Sequence, residues 1–306
     1  MVEVRDAATV MLVRDAPAGA RGADDPGGLE VFMLRRNLSS DFVGGAYVFP
    51  GGAVDDHDRH GDLEAVCLGR TDADASAQLG VGSGGLAFWV AAIRESFEEA
   101  GVLLAVDAAS PDGSLIRLDE PEVAARFARH RAAVDHGERR LVDVCRDEGL
   151  VLAVGGIHYF AHWITPEGAP RRYDTRFFVA RAPEGQVPLH DDREVIANLW
   201  VRPSEALAAH RAGDFDLIFP TMRSLVALER FARADDLLAA AAAVGEVPTM
   251  LPRIVEDEGG GLRIVLPGDP GYDDLASASL AAGIPISRLQ PTTDGGGLAH
   301  AAAPSA

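Results

Sequence analysis

Four charged residues define the chemistry open to this chain. In Arg94-Glu95-Ser96-Phe97-Glu98-Glu99-Ala100-Gly101-Val102 the glutamates stand at i, i+3 and i+4. On a helix all three carboxylates therefore share one face. Like charges on adjacent turns repel by roughly 0.2–0.5 kcal/mol per pair, so the cluster calls for a cation. Hard divalent cations take oxygen ligands, and Mg²⁺ binds through one or two carboxylates plus substrate phosphates. Arg94 adds a fixed positive charge to orient a carboxylate, and Gly101 suits a helix C-terminus. An E-x-x-E-E run alone also describes the solvated face of a surface helix. The fuller R-E-x-x-E-E-x-G pattern arises by chance only on the order of 10⁻⁶ to 10⁻⁵ times per starting point at ordinary residue usage, which favours chemistry over a solvated face. Upstream, Phe49-Pro50-Gly51-Gly52 is a turn whose paired glycines let the backbone approach a ligand or take positive φ.

Together these residues resemble the Nudix hydrolase signature, G-x5-E-x7-R-E-U-x-E-E-x-G-U with U aliphatic. Gly52 matches its first glycine, and Arg94, Glu95, Glu98, Glu99, Gly101 and Val102 match its second half. Asp58 stands where the pattern has Glu, Ser96 stands at the first aliphatic position, and 35 residues (59–93) fill the gap that normally holds seven. A box split in this way resembles the coenzyme A diphosphatase branch typified by the mammalian peroxisomal enzyme. Val48 to Gly52, His162 to Pro166, Arg171 to Phe178 and Leu266 to Asp269 resemble that branch as well, so the likeness spans about residues 7 to 270.

The resemblance implies an α/β/α sandwich with a mixed sheet and helical insertions. It implies Mg²⁺ or Mn²⁺ held by Glu95, Glu98 and Glu99 together with a carbonyl of Gly51 or Gly52, one carboxylate being open to act as general base. Arg94 would orient the carboxylates and not bind substrate. Asp58 would act through a water or hold the loop. The implied reaction cleaves coenzyme A or its thioesters to 3′,5′-ADP and a phosphopantetheine. Related coenzyme A diphosphatases carry Arg-x3-Gly-x3-Phe-Pro-Gly-Gly ahead of the box; Gly45 to Gly52 fits the second half, but Asp41 occupies the Arg position. Two other readings stay open. One is cleavage of another nucleoside diphosphate derivative, such as NADH, a dinucleotide polyphosphate or a nucleotide sugar. The other is a non-catalytic binding protein on the same fold.

The elements that must position these groups follow from periodicity. Residues 7–14 read as a buried strand and 29–36 as its hairpin partner across the Pro/Gly/Asp-rich loop 15–28. Arg35 and Arg36 end the second strand, one set to meet a phosphate or to stand as a solvated edge charge. Residues 39–45 read as a loop and Tyr47 to Phe49 as a short strand. The insertion 59–85 reads as a loop with one or two short helices, Thr71 and Asp74 forming a capping box and Gly80 a stop. Gly82 to Gly85 reads as a flexible return to a main helix over about 86–100. His57 and His60 flank Asp58, a spacing open to a transition-metal site.

Farther on, Pro121 to His136 and Glu138 to Glu148 read as two helices, each followed by a glycine, either a cap beside the pocket or added core. Strands are expected over 157–164 and 173–180, with His158 and His162 on one face of the first. On the second, Arg172, Asp174 and Arg176 alternate onto one face. That row suits a diphosphate in a cleft, or else forms a salt-bridged surface stripe. Glu194 to Val201 reads as a strand, Ser204 as the cap of a helix over 205–211, and 221–244 as two further helices. Leu262 to Leu266 is a short strand. The expected organisation is one domain over 1–285, with helical insertions about 115–150 and a helical extension about 203–250, then a disordered tail over 286–306.

Composition narrows the partners. The chain has 306 residues, 47 % hydrophobic and 25 % charged, with a net charge of −19. That charge repels nucleic acid and anionic membranes, leaving a small-molecule nucleotide substrate met by a metal and local arginines. All 28 basic residues are Arg, a compositional bias alongside Ala and Gly. Cys67 and Cys145 read as free thiols of a reducing cytoplasm. No signal peptide, bilayer span or S-K-L-type address is expected. No feature of the sequence specifies an oligomeric state.

Overall fold

The computed structural model describes residues 2–20, 22, 25–37, 44–111, 113–189, 195–256 and 262–274. The loop around Asp41, the start of the strand expected from Glu194 and the tail 286–306 lie outside the described residues.

A mixed sheet forms the middle layer. Its strands are β1 (Val4–Ala16), β2 (Gly28–Arg36), β3 (Tyr47–Val48) and β4 (Gly51–Ala53). Later in the chain come α1 (Asp72–Leu79), α2 (Leu86–Ala100), β5 (Ala105–Asp107), α3 (Pro121–Asp135), α4 (Leu141–Glu148) and β6 (Leu150–Leu152). The sheet then continues with β7 (Ile157–Ile164), β8 (Arg172–Arg181) and β9 (Val195–Val201). The chain goes on through α5 (Pro203–Ala212), α6 (Phe219–Leu228), α7 (Ala234–Ala242), β10 (Thr249–Met250), β11 (Arg253–Glu256) and β12 (Leu262–Val265).

Among the described residues the sheet order is β10-β7-β8-β1-β2-β3, with β4 added to β1 and β9 to β2. β1 runs parallel to β8 and antiparallel to β2 and β4. The near-continuous apolar run in β1 has a direct cause: the strand is covered on both faces. Ala8, Val10 and Leu12 join the core under α2, while Met11 and Val13 join the core under α5–α7. These layers are the expected α/β/α sandwich with helical insertions.

α2 is apolar all round in its first half, and Leu86 to Ile93 are buried. Trp89 also donates its indole N–H to the Ile157 carbonyl at 2.9 Å. Burying each such large side chain contributes about 1.5–3 kcal/mol. The helix ends at Gly101, whose φ of +67° lets its N–H return to the Phe97 carbonyl.

Three expectations are corrected. The segment 59–85 has the short helices expected of it, but its return at Gly82 to Gly85 is held in place, and Leu63, Val66, Ala75 and Leu79 lie in the core with α2. Asp72 accepts from the backbone N–H groups of Gly84 and Leu86, and Ser76 Oγ from that of Gly85, all at 2.9 Å. The insertion thereby caps the catalytic-type helix, whose own residues supply no side-chain cap. At α5, Pro203 takes the first helical position and Arg202 the cap, so Ser204 lies inside the helix. In β7, a register shift between Tyr159 and Ala161 pairs His158 with Val179 but His162 with Arg176. Those partners sit three residues apart on β8, so the two histidines face opposite sides of the sheet.

Candidate active site

Pro50 and the glycines after it dock on β1, the Pro50 carbonyl accepting from Val10 N–H at 2.9 Å. The two glycines are demanded by contact. A Cβ on Gly51 would lie 2.6 Å from the Ala8 carbonyl oxygen, and one on Gly52 would lie 2.5 Å from Glu95 Oε1. With no side chain in the way, Gly51 N–H donates to Glu99 Oε2 at 2.9 Å. The turn and the acidic helix are thus in direct contact.

Arg94 is the hub. Its Nε donates to both oxygens of Asp58 at 3.0 and 3.1 Å, and Nη2 donates to Asp58 Oδ2 at 2.9 Å and to the Ala53 carbonyl at 2.7 Å. Nη1 reaches Glu95 Oε1 at 2.8 Å and Glu98 Oε2 at 2.9 Å. One planar guanidinium therefore ties α2 to β4 and to the 3₁₀ turn Asp56–Arg59. Asp58 is buried, at 2 % exposure, and its Oδ2 also accepts from Asp55 N–H at 3.0 Å. Every oxygen of Asp58 is committed within the fold.

The electrostatics follow from burial. Desolvation pushes the Glu95 carboxyl up to about 8 and the Glu98 carboxyl up to about 7, against the pull of Arg94. Burial raises Asp58 too, opposed by Arg94. For Arg94, burial alone would lower the pKa, but Glu95, Asp58 and Glu98 outweigh it and hold the guanidinium charged. One arginine thus partly neutralises a site with more carboxylates than cations. Beside it is a cleft of about 120 Å³, lined by Asp58, Arg94 and Glu98 on one side and by Asp135, Arg139 and Leu141 of the α3–α4 turn on the other. Arg131 of α3 donates to the Glu98 carbonyl at 2.8 Å. The helical insertion therefore walls the cleft.

Among the described residues, no three His, Cys, Asp or Glu side chains converge as a ready-made metal cage. Glu95 and Glu98 turn to Arg94, and Glu99 turns to the Gly51 N–H. The donors are nonetheless all oxygen, and burial disfavours the charge of Glu95 and Glu98. That set fits a hard divalent cation bound through a few carboxylates and completed by substrate oxygens. His57 and His60 do not assemble a transition-metal site with Asp58, because both are exposed while the carboxylate belongs to Arg94.

The arginines expected to bind substrate are scattered. Arg176 is 5 % exposed, paired with Asp174, with its guanidinium 5.2 Å from the Phe88 ring of α2. Asp174 also meets His162 Nε2 at 2.5 Å, and His162 Nδ1 meets Thr249 Oγ1 at 2.9 Å. His162 and Arg176 together outweigh burial and hold the Asp174 carboxyl below its usual range. Arg172 donates to the Thr165 carbonyl at 3.1 Å. Arg176 and Asp174 therefore belong to a charged network that meets α2 at Phe88, with Arg172 half-buried at its end. Arg35 is half-buried, 5.7 Å from the Tyr47 ring, with Nε 3.4 Å from the Gly45 carbonyl oxygen. Arg36 is half-buried, with its Nε unpartnered. Sequence reasoning missed Asp72, Ser76 and Arg131. Asp72 had a readable signal, since it follows Thr71 in the capping box.

Residues 70–228 match the family model described as the NUDT19 Nudix domain. Among curated proteins, the chain is 30 % identical to an acyl-coenzyme A diphosphatase NUDT19 of Gallus gallus, over 88 % of this chain and 80 % of that protein. It is 28 % identical to the protein of the same name from Homo sapiens, over 80 % of this chain and 72 % of that one. Among solved structures, a NUDIX hydrolase from Alicyclobacillus acidocaldarius superposes with a TM-score of 0.62 at 26 % identity, covering 78 % of this chain and 97 % of that one.

Proposed function

The chain belongs to the Nudix hydrolases through a NUDT19-type Nudix domain, and we propose that it hydrolyses the diphosphate of coenzyme A or acyl-coenzyme A. The products are 3′,5′-ADP and phosphopantetheine or its acyl form. The carrying observation is the Arg94 hub, which gathers Glu95 and Glu98 at one guanidinium, Glu98 lining the cleft, while Glu99 accepts from the Gly51 N–H. Glu95, Glu98, Glu99 and a carbonyl of Gly51 or Gly52 would hold a divalent cation, Mg²⁺ or Mn²⁺ in this reading, which would supply charge neutralisation of the diphosphate and acidify water.

The chain's own residues do the rest. Arg94 orients the carboxylates and, sequestered by them, does not bind substrate. Asp58 anchors Arg94. Water attacks one phosphorus, the bridging P–O bond breaks, and the proton passes to one of the three carboxylates, Glu95, Glu98 or Glu99. Arg35 and Arg36, which neighbour Tyr47 and Ala46, are our first candidates to meet phosphate, with Arg172 and Arg176 as further candidates. Arg176 also packs its guanidinium on Phe88 of α2. A net charge of −19 supports a small-molecule partner over nucleic acid. No helix among the described residues is long and apolar enough to cross a membrane. Both cysteines are free, with burial pushing their thiols up to about 12, which supports a reducing, cytoplasmic setting.

Asp41 at the Arg position of the coenzyme A pattern favours one alternative, a nucleoside diphosphate derivative such as NADH, a dinucleotide polyphosphate or a nucleotide sugar. A panel of these substrates with coenzyme A and acetyl-coenzyme A, products resolved by mass, tests the choice. A higher kcat/KM on the coenzyme A pair supports the proposal. Preference for any other member overturns it.

A further inference from the structure

Two aromatic rings beside the glycine turn have no part in the chemistry above. Tyr47, in β3, is two residues ahead of Phe49-Pro50-Gly51-Gly52. Phe215 comes from the connection between α5 and α6, in the C-terminal helical extension. Their centroids are 3.6 Å apart and their planes 5° apart. That is a face-to-face sandwich, the arrangement ring quadrupoles disfavour; aromatic pairs settle instead at offset or edge-on geometries with centroids about 4.5–7 Å apart. Both residues are half-buried and packed at the margin of the core under α5–α7, so solvent reaches them.

Their backbones are fixed. Tyr47 N–H donates to the Asp216 carbonyl at 2.8 Å, Tyr47 bridges Leu217, and the Phe215 carbonyl lies 2.8 Å from His210 Nδ1. Arg35 holds its guanidinium 5.7 Å from the Tyr47 ring. By strand rise, Tyr47 Cα lies no more than about 13 Å from Gly51, within the reach of one nucleotide. The arrangement is a pair of aromatic walls, closed on each other, on the side of the sheet under α5–α7 and within about 13 Å along the chain of the Gly51-Gly52 turn.

We propose that Tyr47 and Phe215 are the walls of a slot that takes the adenine ring of the substrate. The base displaces the Phe215 ring from the face of Tyr47 and replaces the unfavourable ring–ring contact with base–aromatic stacking. Every base has a π-face, and aromatic walls bind it without hydrogen-bond readout. The inference deepens the coenzyme A reading, because the C-terminal extension then completes the nucleotide subsite.

The test is calorimetric titration of 3′,5′-ADP into the full chain with Mg²⁺, for wild type and for Tyr47→Leu, Phe215→Leu and Tyr47→Phe. Leucine keeps bulk at each position while removing the π-face. Each leucine variant is expected to bind roughly 5- to 150-fold more weakly. Tyr47→Phe is expected to stay within about 2-fold, and inorganic pyrophosphate, which carries no base, to bind all four proteins alike. Unchanged 3′,5′-ADP binding in either leucine variant overturns the slot. A parallel loss of pyrophosphate binding overturns it too, by showing general damage at the turn. The two readings fail differently. Wild type that binds 3′,5′-ADP through both rings but does not cleave coenzyme A contradicts only the substrate assignment. Coenzyme A cleavage with unaltered kcat/KM in the leucine variants contradicts only the slot.

Discussion

Replacing Asp58 with asparagine removes the charge that holds Arg94 while leaving the shape of the site. Asp58 accepts three hydrogen bonds from Arg94 and one from Asp55 N–H, at 2 % exposure. Asparagine offers one carbonyl oxygen and turns an NH₂ toward a guanidinium, so at least one of those contacts becomes donor against donor. Breaking a buried ion pair from one side costs about 3–5 kcal/mol. At roughly 2–4 °C per kcal/mol for a domain of this scale, the melting temperature should fall by about 5–20 °C. Arg94 is then free to recruit Glu95 and Glu98 more tightly, and kcat should drop through misplacement of those carboxylates. Scanning calorimetry gives the first number; a Mg²⁺ titration of activity below the melting point gives the second. An Asn variant with wild-type melting temperature and Mg²⁺ affinity weakened 10- to 100-fold would refute the reasoning. It would make Asp58 a group of the metal site and not the anchor of Arg94.

Other outcomes follow from the same geometry. Gly52→Ala places a Cβ 2.5 Å from Glu95 Oε1 and should displace that carboxylate from Arg94; losing a charged hydrogen bond, about 1.5–3 kcal/mol, predicts a 10- to 150-fold lower kcat/KM, and a change under 3-fold would contradict it. Asp72→Ala uncaps α2 from within the insertion and should cost about 0.5–2 kcal/mol in urea denaturation with little effect on KM. The raised carboxyls of Glu95 and Glu98, about 8 and 7 against 4.5 for the free side chain, mean the folded chain keeps protons the unfolded chain loses. Their stabilising contribution is complete below about pH 4.5 and is lost as pH rises through 7 to 8. Thermal melts in EDTA should therefore fall across that window, and Mg²⁺ should lessen the fall; parallel curves with and without the cation would count against a metal at these groups.

The sequence was most informative where one local pattern decides the structure. The 86–100 helix, its Gly101 stop, the 7–14 and 29–36 hairpin and the Thr71–Asp74 capping box each depend on neighbours in the chain, and each formed as read. The contact between Gly51 and Glu99 needed the resemblance, because those residues are 48 positions apart. What stayed hidden depends on tertiary context. A bulge at Phe160 reverses the face of His162, and no composition rule marks it. Gly82 to Gly85 reads as a flexible return, whereas its glycines let Asp72 and Ser76 approach the start of α2. The Arg172–Arg176 row had the right period for one face, but period does not say that Arg176 meets α2 at Phe88. Phe215 lies 168 positions after Tyr47, and nothing local to either announces the stack.

The most direct test of the central claim is mass-resolved turnover of acetyl-coenzyme A by wild type and Glu99→Gln, each with Mg²⁺ and with EDTA. Glu99→Gln keeps an acceptor for the Gly51 N–H and should melt at the wild-type temperature or slightly above it, since it relieves like-charge repulsion. Wild type with Mg²⁺ should yield 3′,5′-ADP and acetyl-phosphopantetheine, EDTA should abolish both, and Glu99→Gln should lower kcat roughly 100-fold or more. Glu99→Gln activity within a few-fold of wild type, or equal turnover in EDTA, would contradict the account.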